Sequence, residues 1–210
     1  MARRNKHSLD EIREMVSDAA ETIIVNEGYA ALTARRIAME IGYTVGSIYM
    51  VFANMADLVM HINASTVDDL TEQMHQVPKC SPEQYIADLA KTYVAFASRN
   101  FNRWSLIFAR DAEPPEWYQE KIRQMFSLVE AQFAQLAPDC SSQQGKQAAQ
   151  ALWSGVHGIC SLSLARELDA MAIKDVEDAV VLLVKSFIGG WVAGRPLCTE
   201  QITVAASLGD

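Results

Sequence analysis

The sequence predicts an all-α protein with a three-helix N-terminal domain and a larger helical C-terminal domain, about nine helices in all. Apolar residues recur at three- and four-residue intervals along most of the 210 residues. Capping residues precede several of these segments, and the alternating Val-, Thr- or aromatic-rich segments typical of strands are absent. Half of the residues are hydrophobic and 21% are charged, which is typical of a globular protein with a buried core.

The first predicted helix begins after Ser8 and ends before Gly28. Ser8 and Glu11 have the spacing of a capping box, in which each side chain accepts a hydrogen bond from the other residue's backbone N–H. Gly28 can adopt the left-handed conformation that ends a helix. The apolar positions between them follow helical spacing and are Ile12, Val16, Ala19, Ala20 and Ile23.

Two short helices follow, each opened by a threonine. Thr33 caps the segment 34–41, which Gly42 ends, and Thr44 caps the segment 45–52. Two short helices after a longer one are the layout of a helix-turn-helix domain, whose third helix enters the DNA major groove. We therefore expect a DNA-binding domain over residues 1–53 and a second helical domain over 54–210.

The remaining helices are marked by caps and prolines. Asn54 opens a fourth helix, and later helices are expected to begin at Pro82 and after residues 114–115, because proline is tolerated in the first turn of a helix. Two long helices are expected near the end of the chain, at roughly 142–167 and 176–193. A short helical segment is expected before residue 114.

One segment, residues 41–56, contains no charged side chain. It is too short and too interrupted by glycines and hydroxyl residues to span a membrane. On a helix that faces DNA, however, backbone N–H groups and the Thr44 and Ser47 hydroxyls can meet phosphates or base edges without a cation. Gly46 allows a close approach, and Val45 can touch a thymine methyl.

The formal net charge of −8 argues against a protein coated in nucleic acid, so any DNA contact must be local. Local cations are present near the N-terminus and beside the second predicted helix, and the Tyr49 hydroxyl can reach phosphates. The predicted DNA-contacting residues are Arg3, Arg4, Lys6, Thr33, Arg35, Arg36, Thr44, Val45, Gly46, Ser47, Tyr49 and Met50.

The sequence also predicts where the protein is located, the state of its cysteines and whether it binds a metal. The basic N-terminal segment is followed by acidic residues rather than an apolar stretch, so we expect no secretory signal and a cytoplasmic location. Four dispersed cysteines without a Cys-x-x-Cys pair predict free thiols. His61 and His75 lack ligands at suitable spacing, and we expect neither a metal nor a cofactor.

The last two long helices predict a homodimer. The segment 176–193 is apolar around most of its circumference, so it needs burial on two sides. Small residues in the preceding helix permit close helix packing, and the two helices could form half of a four-helix interface closed by a two-fold axis. A central position of both helices in a monomer is the alternative. The predicted interface residues are Trp153, Leu164, Val180, Leu183, Val184, Phe187, Ile188 and Trp191.

The segment 42–58, GYTVGSIYMVFANMADL, together with TARRIAMEIG just before it, resembles the signature of the tetracycline-repressor (TetR) family. The segment 153–158, WSGVHG, resembles the Trp-x-x-x-His-Gly element of one C-terminal branch of that family. The chain departs from the family pattern at Met50, Val51 and Met55, where a polar residue and a lysine are usual. The resemblance implies a DNA-binding repressor in which the fourth helix couples the DNA-binding domain to a ligand-binding domain, and the last two long helices dimerise.

A family ligand pocket would lie among the aromatic residues that flank Pro114 and Pro115. An apolar lining suits a small hydrophobic or aromatic effector, although most of these residues could equally be core. Trp153 and His157 lie one helical turn apart, and His157 either recognises ligand or is a hydrogen-bonded structural histidine. The candidate effector residues are Phe101, Trp104, Phe108, Trp117, Tyr118, Met125, Phe126, Trp153 and His157.

An enzyme and an all-helical protein-interaction module are the alternatives to a regulator. No Gly-rich phosphate loop, nucleophile elbow or paired-histidine helix is present, which argues against an enzyme. Periodicity alone does not distinguish an all-helical protein-interaction module from a regulator. Two capped short helices preceded by basic residues favour the regulator, because such a module does not require them. We therefore expect a ligand-responsive transcriptional regulator, a repressor that binds a pseudo-palindromic operator as a homodimer and is released by its effector.

Overall fold

A computed structural model describes residues 7–109, 113–164 and 175–194 of the chain. Within these ranges all regular structure is helical and no strand is present, which confirms the predicted fold class. The helices are α1 (Leu9–Glu27), α2 (Ala34–Ile41), α3 (Val45–Tyr49), α4 (Met55–His75), α5 (Pro82–Arg99), α6 (Phe101–Leu106), α7 (Glu116–Leu136), α8 (Ser142–Leu164) and α9 (Val176–Ala193), with a 3₁₀ turn at Tyr29–Ala31.

The chain divides into two compact units. Unit 1 comprises Met1–His75 and Ala95–Gln124, and unit 2 comprises Gln76–Val94 and Met125–Asp210. Helices α5 and α7 therefore each contribute residues to both units. The predicted domain boundary between residues 53 and 54 stays a prediction.

The capping residues fix the starts and ends of the first three helices. The Ser8 hydroxyl accepts the Glu11 N–H at 3.2 Å, and the Glu11 carboxylate accepts the Ser8 N–H at 2.6 Å, which confirms the capping box. Thr33 and Thr44 each accept the backbone N–H three residues on, at 3.1 and 3.3 Å. Gly42 ends α2 with φ of 71°, a left-handed conformation that favours glycine.

Helix α3 is shorter than the sequence predicts, because it ends at Tyr49 rather than at Phe52. The Ile48 carbonyl accepts the N–H groups of both Val51 and Phe52, at 3.1 and 3.0 Å, so the chain tightens into a turn. The side chain of Asn54 then accepts a backbone N–H of α4 at 2.9 Å. Four residues, 50–53, therefore separate the end of α3 from the Asn54 cap of α4.

Unit 1 is built around a hydrophobic core that α1 to α4 share. Side chains from each helix are withdrawn from water in this core, and burial of apolar area is the main stabilising contribution to such a bundle. Its fully or almost fully buried members include Ile12, Val16, Ile24, Ile37, Ile48, Phe52, Leu58 and Ile62.

Helix α6 is joined to α1 and α4 by one buried arginine. Arg103 is 8% exposed, and its guanidinium lies 3.0 Å from the Glu21 carboxylate on α1 and 2.7 Å from the Asp69 carboxylate on α4. Its Nε also donates to the Thr66 hydroxyl at 3.2 Å. A buried cation is tolerated only when it is paired and hydrogen-bonded, so Arg103 links three helices at one point.

In unit 2, α8 and α9 pack closely where α8 has a glycine. A Cβ added to Gly155 would lie 2.7 Å from Cδ2 of Leu183, so the close approach depends on the missing side chain. Phe133 packs edge-on against Phe187 and Trp191, with ring centroids 6.1 and 5.9 Å apart.

The cysteines partly contradict the sequence prediction. Cys80 and Cys160 are free thiols, and burial raises the pKa of Cys160 to about 11. Cys140 is disulfide-bonded, so the prediction of free thiols is wrong at that position. Cys198 lies outside the described residues, as do residues 165–167 of the helix predicted at roughly 142–167.

Among the described residues, no helix is long and apolar enough to cross a membrane. No cluster of three His, Cys, Asp or Glu side chains within the same ranges could hold a metal ion.

Candidate nucleic-acid interface

The outer side of α3 is exposed and uncharged. Val45 and Tyr49, four residues apart, share one side of the helix and are 37% and 47% exposed. Gly46 and Met50 share the adjacent side, and Met50 is 59% exposed. Ile48 is fully buried in the core of unit 1. Ile48 is therefore the side chain that packs α3 into the core, and the opposite side of the helix exposes apolar residues to solvent.

The two hydroxyls at the start of α3 bind each other. Thr44 Oγ1 accepts the Ser47 N–H at 3.3 Å and lies 3.1 Å from Ser47 Oγ. Thr44 is exposed and Ser47 is half-buried. Because one of the two hydroxyl protons is used in this contact, the other is available to an external acceptor.

The two predicted cations of α2 differ in their surroundings. Arg36 binds Glu27 with an Nη2 to Oε1 distance of 3.0 Å, and both side chains are nearly half exposed. Arg35 is exposed, and no carboxylate of the described residues pairs with it. Arg35 is thus the better placed of the two for an external anion. Three other predicted cations lie outside the described residues and are Arg3, Arg4 and Lys6.

A stack of side chains holds the chain immediately after α3. The guanidinium of Arg13 on α1 lies 4.7 Å above the Phe52 ring, and the His61 ring on α4 lies 5.5 Å from it. Trp117 stacks on the His61 ring at 5.1 Å. Burial lowers the pKa of His61, an effect that Asp57 opposes and Arg13 reinforces. The position of α3 is therefore fixed from both α1 and α4.

A short helix with an exposed outer side, held on a core of three other helices, is the geometry of the reading helix in helix-turn-helix proteins. Sequence comparison decides the family. Residues 16–62 match "Bacterial regulatory proteins, tetR family", and residues 86–187 match "Tetracyclin repressor-like, C-terminal domain".

The chain belongs to the TetR family. The two matches together cover most of the described residues, and the predicted family resemblance is confirmed. TetR-family proteins are transcriptional regulators with a DNA-binding domain, so the expectation that this chain is not an enzyme is also confirmed. The similarity of residues 153–158 to one branch of the family stays a prediction.

Solved structures with the same fold include other members of the TetR family. A Rhodococcus sp. RHA1 protein of unknown function has a TM-score of 0.71 at 21% identity, covering 90% of this chain and 98% of its own. A possible TetR-family regulator from Streptomyces coelicolor A3(2) has a TM-score of 0.68 at 15% identity, covering 87% and 100%. BioQ, solved with its natural double-stranded DNA operator, has a TM-score of 0.63 at 18% identity, covering 84% and 98%.

No curated protein matches the chain.

The predicted effector residues of this TetR-family chain fall in two groups. Those in unit 1 are Phe101, Trp104, Phe108, Trp117 and Tyr118, and those in unit 2 are Met125, Phe126, Trp153 and His157. Trp104 and Tyr118 are buried, whereas Phe101, Phe108 and Trp117 are between 36% and 40% exposed. The prediction therefore combined core residues with surface residues.

His157 lies in a network of neutral partners inside unit 2. Its Nδ1 is 2.9 Å from the Tyr93 hydroxyl and its Nε2 is 3.2 Å from the Ser161 hydroxyl. Its ring is stacked on Trp153 at 5.1 Å, and Phe126 packs edge-on against Trp153 at 5.2 Å. Burial lowers the pKa of His157. Both ring nitrogens are used within the unit, which favours the interpretation as a structural histidine.

A surface cavity of about 370 Å³ lies in unit 1 beside the start of α7. Its lining residues are Glu113, Pro114, Tyr118, Gln119, Ile122 and Arg123. Arg123 also binds Glu116 and Glu120, at 2.6 and 2.8 Å, and these contacts raise its pKa. Of the predicted effector residues, only Tyr118 lines this cavity, and Glu116 and Glu120 form an exposed ion-pair network with Arg123.

The predicted dimer residues differ in their burial within a single chain, and the interface itself stays a prediction. Val180, Val184 and Ile188 are between 0% and 4% exposed within a single chain, because they form the inner side of α9. They have no surface left to offer a partner. The other predicted residues are half-buried and are Trp153, Leu164, Leu183, Phe187 and Trp191.

The exposed side of α9 instead carries Leu182, which is 68% exposed, followed by Ser186 and Gly189. On α8, Leu162 is 50% exposed and Ala151 is also exposed. Sequence reasoning missed both leucines, although the spacing of four that relates Val180, Val184 and Ile188 marks the inner side of α9. Arg103 was also missed, because the residues near it in the sequence do not indicate its three distant partners.

Proposed function

We propose that this TetR-family protein is a ligand-responsive repressor that binds a pseudo-palindromic operator as a homodimer. The observation that carries the proposal is the exposed, uncharged outer side of α3, fixed on the core by Ile48 and by the stack that begins at Phe52. A rigid helix with small and apolar exposed residues can approach the floor of the major groove closely. The proposed DNA partner agrees with the predicted cytoplasmic location.

The DNA contacts we propose are those of α2 and α3 together with the basic N-terminal residues. Thr33, Arg35 and the Tyr49 hydroxyl are exposed and suited to phosphates. Thr44 and Ser47 retain one hydroxyl proton between them for an acceptor on the DNA. Arg36 contributes less, since Glu27 competes for its guanidinium.

For the homodimer, we propose the outer sides of α8 and α9 as the interface. Exposed leucines beside small residues allow two copies to pack closely and to bury apolar area. A two-fold interface then spaces the two α3 helices by one turn of DNA or a multiple of it. This arrangement requires an operator with two inverted half-sites.

For the effector, we propose a small hydrophobic or aromatic molecule that favours the state with lower DNA affinity. A ligand shifts the equilibrium only through its different affinity for the two states. In unit 1, the cavity beside α7 lies on the same helix as Trp117, whose ring stacks on His61. A ligand bound in this cavity would therefore shift the turn after α3 through the contacts of Trp117 with His61 and of His61 with Phe52.

Selection of random duplexes with the purified full-length protein tests the proposed function. We expect an inverted repeat to be enriched and to bind far more tightly than a scrambled duplex of equal length. Enrichment of no sequence, with equal weak affinity for all duplexes, would contradict the proposal and favour a protein-interaction module.

Light scattering of a Leu182→Asp variant tests the proposed interface. We expect this variant to become monomeric, because a charge replaces a 68% exposed apolar side chain at the interface. Val25→Asp is the matched control, since Val25 is 48% exposed in unit 1 and should leave the dimer intact. A dimeric Leu182→Asp protein would place the interface elsewhere.

A further inference from the structure

The segment that contains α3 lacks every side chain that reads a base by a pair of hydrogen bonds. Arginine and lysine read guanine in this way, asparagine and glutamine read adenine, and acidic residues accept from cytosine. None of these residue types occurs between Thr44 and Ala53. Among the side chains of this segment, only the Thr44 and Ser47 hydroxyls, which already bind each other, and the Tyr49 hydroxyl carry polar atoms.

The exposed side chains of this segment are instead mainly apolar. Val45 and Met50 are 37% and 59% exposed, on adjacent sides of α3, and Gly46 between them adds no side chain. The feature of a base pair in the major groove that attracts an apolar side chain is the 5-methyl group of thymine. The face that α3 presents therefore matches methyl groups better than hydrogen-bonding edges.

We propose that Val45 and Met50 read the operator through thymine 5-methyl groups, so that α3 discriminates bases by apolar contact rather than by hydrogen bonds. This inference rests on the proposed function and assigns the chemical feature that the site recognises. Arg35 is the one cation of α2 that no described carboxylate holds, and it is the competing reader, through guanine.

Uracil substitution tests the inference, because uracil pairs like thymine and lacks only the 5-methyl group. Each thymine of the selected operator is replaced by uracil in turn, and the affinity is measured at one salt concentration. We expect one or two positions in each half-site to lose affinity by roughly fourfold, the value of one buried methyl group, and symmetric replacement to lose roughly sixteenfold. The remaining thymines should be insensitive.

Two variants connect the sensitive positions to the side chains. Val45→Ala and Met50→Ala shorten exposed side chains, so folding should be unaffected. Each variant should remove the thymine-over-uracil preference at its own position and leave it at the other. Exposed Met39→Ala on α2 is the matched control and should leave both preferences unchanged.

A methylated cytosine gives an independent readout. At a sensitive position, a C·G pair should bind weakly, and 5-methylcytosine should restore roughly fourfold, since it returns a methyl group to a similar place in the groove. An operator unaffected by uracil at every thymine would overturn the inference. So would a uracil effect that persists unchanged in both alanine variants.

The two proposals fail in different ways. If no duplex is preferred in the selection, the proposed function fails. If an operator is selected but responds to 7-deazaguanine rather than to uracil, the function holds and base reading belongs to a hydrogen-bonding cation such as Arg35.

Discussion

Unit 1 and unit 2 each have a close contact between helices, and the two contacts differ in kind. In unit 1, the buried Arg103 joins α6 to α1 and α4 through carboxylates 3.0 and 2.7 Å away. In unit 2, α8 and α9 are in van der Waals contact, and the absence of a side chain at Gly155 leaves room for Leu183. The first contact is directional and charged, and the second is apolar and depends on volume.

This difference determines which substitutions each unit tolerates. A buried charge left without its partner is costly, whereas neighbouring side chains can adjust to a change of volume. Unit 1 should therefore be the more sensitive to the loss of one polar group. Unit 1 also contains α3, so the directional contact of Arg103 helps to fix α1 and α4, which pack against the proposed DNA-contacting helix.

The largest effect is expected for Arg103→Met, which keeps an apolar stem and removes the guanidinium. Glu21 and Asp69 are 34% and 49% exposed and can regain water, so the expected loss in unfolding free energy is about 2–3 kcal/mol rather than the full cost of an isolated charge. Urea unfolding at fixed protein concentration measures it.

Arg123→Met is the control for that experiment. Arg123 also binds two carboxylates, but its side chain is 52% exposed, and exposed ion pairs contribute little. Equal stability of the two variants would show that burial of Arg103 adds nothing to its ion pairs.

A smaller effect is expected at the glycines of α8. Gly145→Ala should raise the unfolding free energy by about 0.5–1 kcal/mol, because alanine favours the helix and its Cβ would lie 3.9 Å from Phe133. Gly155→Ala should gain less, because its Cβ would lie 2.7 Å from Leu183. Equal gains in urea unfolding would show that α8 and α9 do not depend on Gly155.

The smallest effect concerns the two histidines that stack on tryptophans. Burial lowers the pKa of both His61 and His157, so the unfolded chain binds protons more readily and stability falls as pH drops through about 6.5. At His61, Asp57 opposes the lowering of the pKa more than Arg13 reinforces it, whereas the hydroxyl partners of His157 carry no charge.

His157→Gln should therefore remove more of the acid-induced loss of stability than His61→Gln. Urea unfolding at several pH values between about 5 and 7.5 compares the two variants with the parent. A larger effect of His61→Gln, or stability that rises toward acid because of either histidine, would contradict the assigned partners.

The sequence predicted best the features that depend on neighbouring residues. The Ser8 capping box, the Thr33 and Thr44 caps and Gly42 act over three or four residues, and all lie where predicted. Helix α3 was predicted too long, because residues 50–52 continue the apolar pattern although the chain tightens into a turn on the Ile48 carbonyl. Local preferences alone did not decide between helix and turn at these residues.

Features that depend on distant residues were beyond local patterns. Arg103 meets Glu21 and Asp69 across long stretches of sequence, and nothing near residue 103 indicates these partners. The apolar circumference of α9 predicted burial on two sides, but helical phase was needed to assign Val184 to the core and Leu182 to the surface.

The central claim is that the exposed, uncharged side of α3 meets duplex DNA, and a charge placed there tests it most directly. Met50→Glu and Met50→Gln have similar volumes at a position 59% exposed, so both should unfold at the parent's temperature. In a titration with the selected operator, we expect Met50→Glu to bind at least about tenfold more weakly than Met50→Gln, because a carboxylate at this position would enter the negative potential of the duplex. Equal affinity of the two variants would contradict the claim.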